Sequence, residues 1–293
     1  MKAVHCTAYG NPDVLKLVEV PQPTFHEDEC MIRIHATAVN SGDTRIRRAD
    51  PWAVRLVFGF SKPRRAILGG VFSGEVVATG SAVSKFRVGD QVFGSTGMEF
   101  GAYAEYKALK ESATVALKPD SLTHLQAAVI PFGALTALYF LRKANIRPGQ
   151  KVLIYGASGA VGSAALQLAK QFGAEVTAVC SGSNAGWIRE LGADHVIDYH
   201  TTDLKTNNEQ YDVVYETVNK WSFSECSSHL KKGGVLILGA AGFTQMLRAG
   251  FVRLTGKKVL TGVIKESTEG LQFVKELVDR GAYRPVLDHV FTL

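Results

Sequence analysis

The sequence predicts an α/β protein in two parts, a β-rich N-terminal part followed by a doubly wound parallel sheet. Three observations support this fold class. Short strand-like runs, separated by Gly, Pro and Asp, fill residues 1–119. A strand–turn–helix–strand unit of roughly 30 residues follows at 151–184. Strand and helix patterns then alternate as far as residue 280, which is typical of parallel sheets.

The N-terminal part is predicted from apolar runs with β-branched residues that are bounded by turn residues. Many short strands before the alternating region indicate a small barrel-like domain. A helix is expected over residues 122–143, with Thr123 as its cap and an interruption at Pro131-Phe132-Gly133. The predicted strands are Met1–Cys6, Leu15–Val20, Glu29–Val39, Gly74–Thr79, Gln91–Gly94 and Ala102–Ala108.

The second part contains a glycine-rich turn between a predicted buried strand, Lys151–Tyr155, and a predicted helix, Val161–Phe172. The turn fits the pattern A-x-G-x-x-G. In this pattern Gly159 lets the backbone approach a pyrophosphate, and Gly162 lets the helix pack closely on the strand. The helix N-terminus offers free N–H groups and a favourable dipole to the phosphates. We therefore expect a dinucleotide to bind at Gly156, Ala157, Ser158, Gly159, Ala160, Val161 and Gly162.

The end of the next strand, Val176–Cys180, decides which cofactor is expected. NAD sites usually place Asp or Glu there, on the ribose 2′-hydroxyl. This chain has Ser181, Ser183 and Asn184 instead, which offer hydroxyl and amide donors to a 2′-phosphate. The sequence therefore favours NADPH over NADH. Tyr199 follows a later strand, and it either adds a hydroxyl beside the phosphate or packs as an aromatic on the strand end.

The alternation of strands and helices continues after this unit, and ligands of such sheets bind at the carboxyl ends of the strands. Val218, Gly239, Ala240 and Ala241 follow two of these ends, where backbone groups approach a nicotinamide. The alternative, that they form ordinary tight loops, stays open. The remaining predicted elements are helices at Trp187–Leu191, Phe223–His229 and 268–280, and strands at His195–Asp198, Tyr211–Glu216, Gly234–Gly239 and Lys258–Val263.

The composition excludes several classes of protein. With 46% hydrophobic and 20% charged residues, the 293-residue chain has the balance of an ordinary globular protein. Its net charge of +6 is spread along the chain without interleaved aromatics, so no nucleic-acid partner is expected. Four widely spaced cysteines indicate a reducing compartment. Neither a signal-peptide pattern nor an apolar stretch of ~18 residues is recognised, so we expect a cytoplasmic protein without a membrane partner.

Several segments resemble one family, in that family's order along nearly the whole chain. They are Ala38–Thr44 (AVNSGDT), Leu68–Val77 (LGGVFSGEVV), Val88–Gly94 (VGDQVFG), Gly101–Tyr106 (GAYAEY), Ala157–Gly162, Val196–Tyr199 (VIDY) and Lys232–Gly234 (KGG). On these segments the chain resembles the zinc-independent quinone oxidoreductases of the medium-chain dehydrogenase/reductase superfamily. The resemblance implies a GroES-like β-rich catalytic domain, a Rossmann domain with a doubly wound parallel sheet, NADPH, and reduction of quinones or activated alkenes.

The resemblance also implies domain limits. Residues 1–121 and 265–293 would form the catalytic domain, and residues 122–264 the Rossmann domain. An amphipathic helix at 268–280 and a returning strand at Arg284–Leu293 would belong to the first of these. Relatives usually continue with a further helix and strand, so the C-terminal part of the catalytic domain is expected to be incomplete.

Two further residues receive roles. Hydride transfer builds negative charge on the substrate oxygen, which needs a hydrogen-bond donor. Asn40 is the candidate donor, or it braces the nicotinamide; the alternative is a turn residue in Asn-Ser-Gly-Asp. By resemblance Thr136 lies near the nicotinamide; the alternative is a helix hydroxyl that bonds its own backbone.

No metal is expected, because catalytic zinc needs three protein ligands. Ser41 stands where zinc-dependent relatives supply Cys, and Gly69-Gly70-Val71 stands where they supply His and Glu. Two other functions stay open, an enoyl-thioester reductase and a non-catalytic NADPH-binding or RNA-associated regulator. The apolar edge strand at Lys258–Val263 suggests a homodimer.

Overall fold

The computed structural model describes residues 1–204, 208–239 and 258–293. The chain folds into two compact units. The first contains Met1–Phe132, Ser267–Asp279 and Pro285–Leu293, and the second contains Gly133–Glu266 and Arg280–Arg284. The domain limits given above by family resemblance stay a prediction, because they concern family modules and not compact units.

The first unit is rich in β-strands, as the sequence predicts, and these strands pair antiparallel. β1 (Lys2–Cys6) pairs with β2 (Leu15–Glu19). A five-stranded sheet has the order β6-β3-β4-β5-β7. Its buried core contains Ile32, Phe72, Val92 and Leu109. The strands of this sheet are β3 (Glu29–Thr37), β4 (Val71–Thr79), β5 (Gln91–Ser95), β6 (Tyr106–Lys110) and β7 (Val115–Leu117).

Two short helices in the first unit were not predicted. α1 (Ser41–Arg48) begins at Asn40, whose side chain accepts hydrogen bonds from the Gly42 and Asp43 N–H groups. α2 (Val54–Phe58) follows after a short turn. The sequence Asn-Ser-Gly-Asp is typical of a turn, but the same residue types also start helices, since Asn is a favoured N-cap.

The break in the predicted helix at 122–143 lies elsewhere than expected. α3 (His124–Ala128) ends before Val129, and α4 (Ile130–Ala144) then runs through Pro131 and Gly133 without interruption. Pro131 occupies the first turn of α4, where its missing N–H would have had no helical partner. The helical stretch His124–Ala144 is long and apolar enough to cross a membrane, contrary to the sequence expectation, but 67% of its most apolar window is buried inside the protein. It is therefore interpreted as core helix.

α3 packs on the five-stranded sheet through a histidine. The Ser73 hydroxyl lies 3.0 Å from the Val92 carbonyl, to which it donates, and 2.8 Å from His124 Nδ1. Because the hydroxyl proton is used on Val92, Nδ1 of His124 is the donor to Ser73. The His124 ring lies 4.5 Å from the ring of His35. Burial and the neighbouring His35 lower the pKa of His124 to about 4.

We expect this histidine to make the protein less stable in mild acid. The unfolded chain protonates His124 near pH 6.5, but the folded chain does so only near pH 4. Its contribution to stability is therefore complete above pH 6.5 and is lost as pH falls towards 4. Because the ring is partly solvated, the loss is at most about 1 kcal/mol per pH unit. In urea unfolding, the free energy of unfolding of His124→Gln should depend less on pH than that of the parent. The control, a substitution of the exposed His26 by Gln, should behave like the parent. The same pH dependence in the parent and both variants would contradict this expectation.

The second unit contains a six-stranded parallel sheet of order β10-β9-β8-β11-β12-β13. The order reverses between β8 and β11, and in such sheets ligands bind outside the carboxyl ends of the strands at this point. The strands are β8 (Lys151–Tyr155), β9 (Glu175–Cys180), β10 (His195–Asp198), β11 (Tyr211–Glu216), β12 (Leu230–Leu238) and β13 (Lys258–Thr261). The helices are α5 (Ala160–Gln171), α6 (Ala185–Glu190) and α7 (Phe223–Ser228). The predicted doubly wound fold class is confirmed.

The C-terminal residues differ from the prediction. α8 (Thr268–Asp279) is amphipathic as expected, with Leu271, Val274 and Leu277 buried. The predicted strand at Arg284–Leu293 is wrong, since these residues have no regular structure. Arg284 instead exchanges backbone hydrogen bonds with the side-chain amide of Gln167, and no strand of the described chain pairs with the segment that follows.

Candidate cofactor-binding site

The glycine turn between β8 and α5 has backbone features that require glycine. Gly156 has a φ of +83°, and a Cβ placed there would lie 2.7 Å from Thr217 Oγ1. A Cβ on Gly162 would lie 2.2 Å from the Gly156 oxygen and 2.7 Å from the Ala157 Cα. Gly162 therefore lets α5 approach the turn, as the sequence predicts, and Gly156 supplies a left-handed residue that the sequence pattern had not identified as such.

The start of α5 is open to an anion. Its N-cap, Gly159, has no side chain to cap the helix, and a Cβ added to Gly159 would meet only the Gly156 oxygen, at 3.5 Å. The first N–H groups of a helix have no partner within it. Ala157 is fully buried, whereas Ser158, Ala160 and Val161 are not. The turn therefore leaves space and uncapped N–H groups at one place, which fits the phosphates of a dinucleotide.

Helix α4 approaches the same turn through a glycine that sequence analysis treated only as a helix breaker. A Cβ on Gly133 would lie 2.3 Å from the Ala160 oxygen, so the backbone of α4 lies against the first residue of α5. Thr136 is three residues further along α4 and therefore lies on the same helix face. Its side chain is buried, with 8% of its surface exposed. The sequence feature that could have indicated this contact is the spacing Gly-x-x-Thr within an apolar helix.

The polar residues after β9 form a hydrogen-bonded cluster. Ser181 Oγ lies 3.0 Å from Ser183 Oγ and accepts a hydrogen bond from Asn184 Nδ2 at 3.0 Å. Asn184 Oδ1 in turn accepts from Trp187 Nε1 at 3.0 Å. The three predicted residues are therefore together, and Trp187 fixes the orientation of the Asn184 amide.

An acidic side chain lies beside this cluster, although residues 180–184 contain no acid. Asp198, the last residue of β10, has Oδ2 only 2.4 Å from where a Cβ on Gly182 would stand. Its Oδ1 accepts the His200 N–H at 2.9 Å. Tyr199 is 46% exposed, its N–H donates to the Cys180 oxygen at 3.3 Å, and its ring contacts His200. Only the pairing of β9 with β10 brings these side chains to the end of β9.

The end of β11 is held by a buried carboxylate. Glu216 is fully buried and accepts hydrogen bonds from the N–H groups of Val218, Asn219 and Lys220, at 3.2, 2.8 and 3.0 Å. These bonds fix the loop that carries Val218. The sequence contained a signal for this arrangement, since Glu216 is a charged residue that ends an apolar strand.

Thr217 was not predicted as a site residue, yet it braces the glycine turn. Its single hydroxyl proton is shared between the carbonyl oxygens of Tyr155, at 2.8 Å, and Gly156, at 3.2 Å. The strand neighbours β8 and β11 are therefore linked where the sheet order reverses. At the end of β12, the N–H of Gly239 donates to the Glu216 oxygen at 2.9 Å. The predicted Ala240 and Ala241 lie outside the described residues.

In the first unit, Asn40 caps α1 through its side-chain oxygen. Oδ1 accepts the Gly42 N–H at 2.8 Å and the Asp43 N–H at 3.2 Å, and Asp43 Oδ2 accepts the Asn40 N–H. These bonds fix which side-chain atom is the oxygen. Nδ2 then has no acceptor among the described residues and is available as a donor. The two interpretations of Asn40, turn former and hydrogen-bond donor, are therefore compatible.

Asp43 supports this loop from the interior. Its side chain is buried, and Tyr103 donates its hydroxyl to Oδ2 at 3.0 Å. Burial raises the pKa of Asp43 to about 6, and burial, together with the neighbouring Asp43, raises the pKa of Tyr103. Neither was predicted. The signal was weak, since Asp and Tyr lie 60 residues apart in the sequence.

The comparisons with known proteins agree with this architecture. Residues 26–120 match the family model described as alcohol dehydrogenase GroES-like domain, and residues 191–293 match that described as zinc-binding dehydrogenase. The chain is 33% identical to 2-methylene-furan-3-one reductase of Solanum lycopersicum, over 98% of this chain and 71% of that protein. It is 33% identical to a chloroplastic quinone-oxidoreductase homolog of Spinacia oleracea, over 98% and 90%.

Among solved structures, Escherichia coli quinone oxidoreductase complexed with NADPH is similar with a TM-score of 0.82 and 25% identity, over 99% of this chain and 91% of that chain. The glycine turn, the strand order and the two matched domains thus agree with the resemblance found in the sequence. The chain belongs to the quinone oxidoreductase-like family of the medium-chain dehydrogenase/reductase superfamily, whose members are pyridine-nucleotide dehydrogenases.

Proposed function

We propose that this protein is an NADPH-dependent oxidoreductase that reduces quinones or α,β-unsaturated carbonyls without zinc. The observation that carries the proposal is the glycine turn at the point where the sheet order reverses, with an uncapped helix start and no Cβ in the way. The names of the Solanum lycopersicum and Spinacia oleracea relatives support the substrate classes, an enone and a quinone.

The chain's own residues have separate tasks in this proposal. NADPH supplies the hydride and the chain supplies binding and electrostatics. The N–H groups at Ala160 and Val161, which have no partner within α5, would bind the pyrophosphate, and Gly159, whose own N–H donates to the Gly156 oxygen at 3.0 Å, leaves space for it. Thr136 and the loop after Glu216 hold the nicotinamide end of the cofactor.

Asn40 Nδ2 would donate a hydrogen bond to the substrate oxygen, on which negative charge develops during reduction, and water would supply the proton that completes it. The capping bonds hold Oδ1 on the backbone, so the donor side of the amide is oriented before substrate binds. Such preorganisation is what makes an uncharged donor effective in place of a metal ion.

The preference for NADPH over NADH rests on the hydroxyl and amide groups of Ser181, Ser183 and Asn184, which would have to outweigh the carboxylate of Asp198 beside Gly182. We expect Ser181→Asp to weaken NADPH binding about tenfold or more, because a carboxylate repels the 2′-phosphate, and to weaken NADH binding far less. Ser181→Asn is the uncharged control of the same size. Fluorescence titration with both cofactors measures the effect. Equal affinities of the parent protein for NADH and NADPH would contradict the proposal.

Independence from zinc is also part of the proposal. In residues 1–204, 208–239 and 258–293, no three His, Cys, Asp or Glu side chains are grouped so that they could hold a metal ion. Ser41 begins α1 at the place in the sequence where zinc-dependent relatives supply Cys. Metal analysis of purified, active protein tests this point, and stoichiometric zinc would contradict it.

The assembly and the location of the protein are further proposals. β13 lies at the edge of the parallel sheet, and Val263 just beyond it is 82% exposed, which supports a homodimer through this edge. The four cysteines are free and buried, which supports a reducing compartment such as the cytoplasm. Sedimentation velocity at micromolar concentration tests the dimer.

A single screen tests the activity. NADPH oxidation is followed with a quinone, an enone and a crotonyl thioester. Turnover of the first two supports the proposal. Turnover of the thioester alone would favour an enoyl reductase, and NADPH binding without any turnover would favour a regulator; no observation in the structure favours either.

A further inference from the structure

A group of large apolar side chains is exposed on the first unit. We call it the Trp52–Phe60 patch. Its members are Trp52, Leu56, Val57 and Phe60, which are 58%, 63%, 61% and 70% exposed. Isolated exposed apolar residues are common, but a contiguous group usually marks a binding surface. Trp52 and Phe60 contact each other, with ring centroids 6.0 Å apart.

The patch is held in place by the layer beneath it. Phe58 points the other way and packs on Phe100, with ring centroids 5.6 Å apart. The Arg55 guanidinium lies 4.6 Å from the centre of the Tyr9 ring, and the Tyr9 hydroxyl donates to the Gly59 oxygen at 2.6 Å. Arg55 also donates to the Phe60 oxygen at 2.9 Å. The exposure is therefore built into the local fold, and it does not result from a segment that lacks contacts.

Positive charge surrounds the patch along the chain. Arg48, Lys62 and Arg64 are exposed on either side of it, and the Arg64 N–H donates to the Phe58 oxygen at 2.6 Å. Asp50 is the one exposed acid between residues 45 and 65, all of which the structure describes. In the sequence, the basic residues form two small groups, Arg45–Arg48 and Lys62–Arg65, and the apolar residues between them were not predicted to form a helix.

We propose that the Trp52–Phe60 patch docks this protein on the surface of a membrane containing anionic lipid. Trp and Phe insert favourably at the boundary between headgroups and acyl chains, and Leu56 and Val57 add apolar area. The flanking cations then face anionic headgroups, each worth about a fivefold gain in binding. This mode of binding needs no membrane-spanning segment. The expectation that the protein has no membrane partner was based on spanning segments alone, so it does not address binding to a membrane surface.

The charges and the side-chain types favour an anionic membrane over the two alternatives, a second copy of the chain and a single-stranded nucleic acid. A second copy meeting the patch about a two-fold axis would bring Arg48, Lys62 and Arg64 against the same three cations. Single-stranded nucleic acid would use aromatic faces for stacking, but Leu56 and Val57 cannot stack on bases. An anionic lipid surface can bury the aliphatic side chains in its acyl region and pair the cations with its headgroups.

The test is co-sedimentation of the purified full chain with vesicles. We expect binding to vesicles of 30% phosphatidylserine in phosphatidylcholine, much weaker binding to pure phosphatidylcholine, and release as salt is raised. Phe60→Ser should weaken binding about tenfold by removing one inserted side chain. Lys62→Gln with Arg64→Gln should weaken it about 25-fold at low salt, from two lost charges.

Matched controls lie in the turn before β5. Val88 is 64% exposed and Arg87 is also exposed, so Val88→Ser with Arg87→Gln removes similar groups elsewhere on the same unit. This variant should bind vesicles like the parent. Trp52 fluorescence should shift to the blue on binding, and the shift should disappear in Trp52→Phe while sedimentation remains.

Four results would overturn the proposal. One is the absence of binding to anionic vesicles by the parent. Another is equal binding by the patch variants and the parent. The third is vesicle binding that single-stranded RNA abolishes at equal charge concentration, which would point to a nucleic acid. The fourth is a dimer that the patch substitutions convert to a monomer, which would point to a second copy.

Discussion

Gly162→Ala should destabilise the protein and abolish NADPH binding. The new Cβ would stand 2.2 Å from the Gly156 oxygen and 2.7 Å from the Ala157 Cα, and both are backbone atoms of the turn that carries the site. Relief requires α5 to move away from β8, so the packing of both elements is lost. We expect a loss of about 3 kcal/mol in the free energy of unfolding, at the upper end for overpacked sites. Urea denaturation measures it.

Gly159→Ala separates binding from stability. The φ of Gly159 is −80°, and the only neighbour of an added Cβ is the Gly156 oxygen at an ordinary 3.5 Å. Stability should fall by no more than about 1 kcal/mol, from the less favourable N-cap. The methyl group would nevertheless occupy the space where the pyrophosphate approaches, so NADPH affinity should fall about tenfold or more.

Gly186→Ala is the control for both substitutions. Gly186 lies in α6, and a Cβ there would meet nothing within 4 Å. We expect unchanged NADPH affinity and a slight gain in stability, since Ala favours the helix. If Gly159→Ala binds NADPH like the parent, the pyrophosphate does not lie at the start of α5 and the proposed cofactor site is wrong.

Asn40→Ser should lower kcat about tenfold or more while the fold keeps its stability. Ser retains an oxygen that can cap α1, but it lacks the Nδ2 donor that is proposed to stabilise charge on the substrate oxygen. Asn40→Ala removes both groups. It should lose similar activity and, in addition, about 1 kcal/mol of stability through the lost cap.

Steady-state kinetics with a quinone, together with thermal unfolding of both variants, measure these effects. A kcat unchanged in Asn40→Ser but reduced in Asn40→Ala would show that Asn40 acts only as a helix cap. A change confined to the KM for NADPH would place Asn40 on the cofactor and not on the substrate oxygen.

Some elements followed from local sequence alone. β8, β10 and β11 have the predicted bounds, because each is an apolar run between turn residues in a parallel sheet. α5 begins one residue before its predicted start, since its 3.6-residue period and the flanking glycines define it. The break at Val129 and the irregular segment after Arg284 were missed. The break was misplaced because Pro131 is tolerated in the first turn of α4. The strand was mispredicted because the side-chain amide of Gln167, on α5, takes the backbone hydrogen bonds of Arg284.

Most of the candidate site shows the same division. The sequence by itself determined the glycine turn between β8 and α5 and the acid-free stretch after β9, since both depend on residues adjacent in the chain. Only the tertiary structure placed Thr217 on the Gly156 carbonyl, Gly133 against α5, and Asp198 beside Gly182. These contacts join residues 16 to 61 positions apart in the sequence. Strand order and helix packing, not local propensity, decide which distant residues meet.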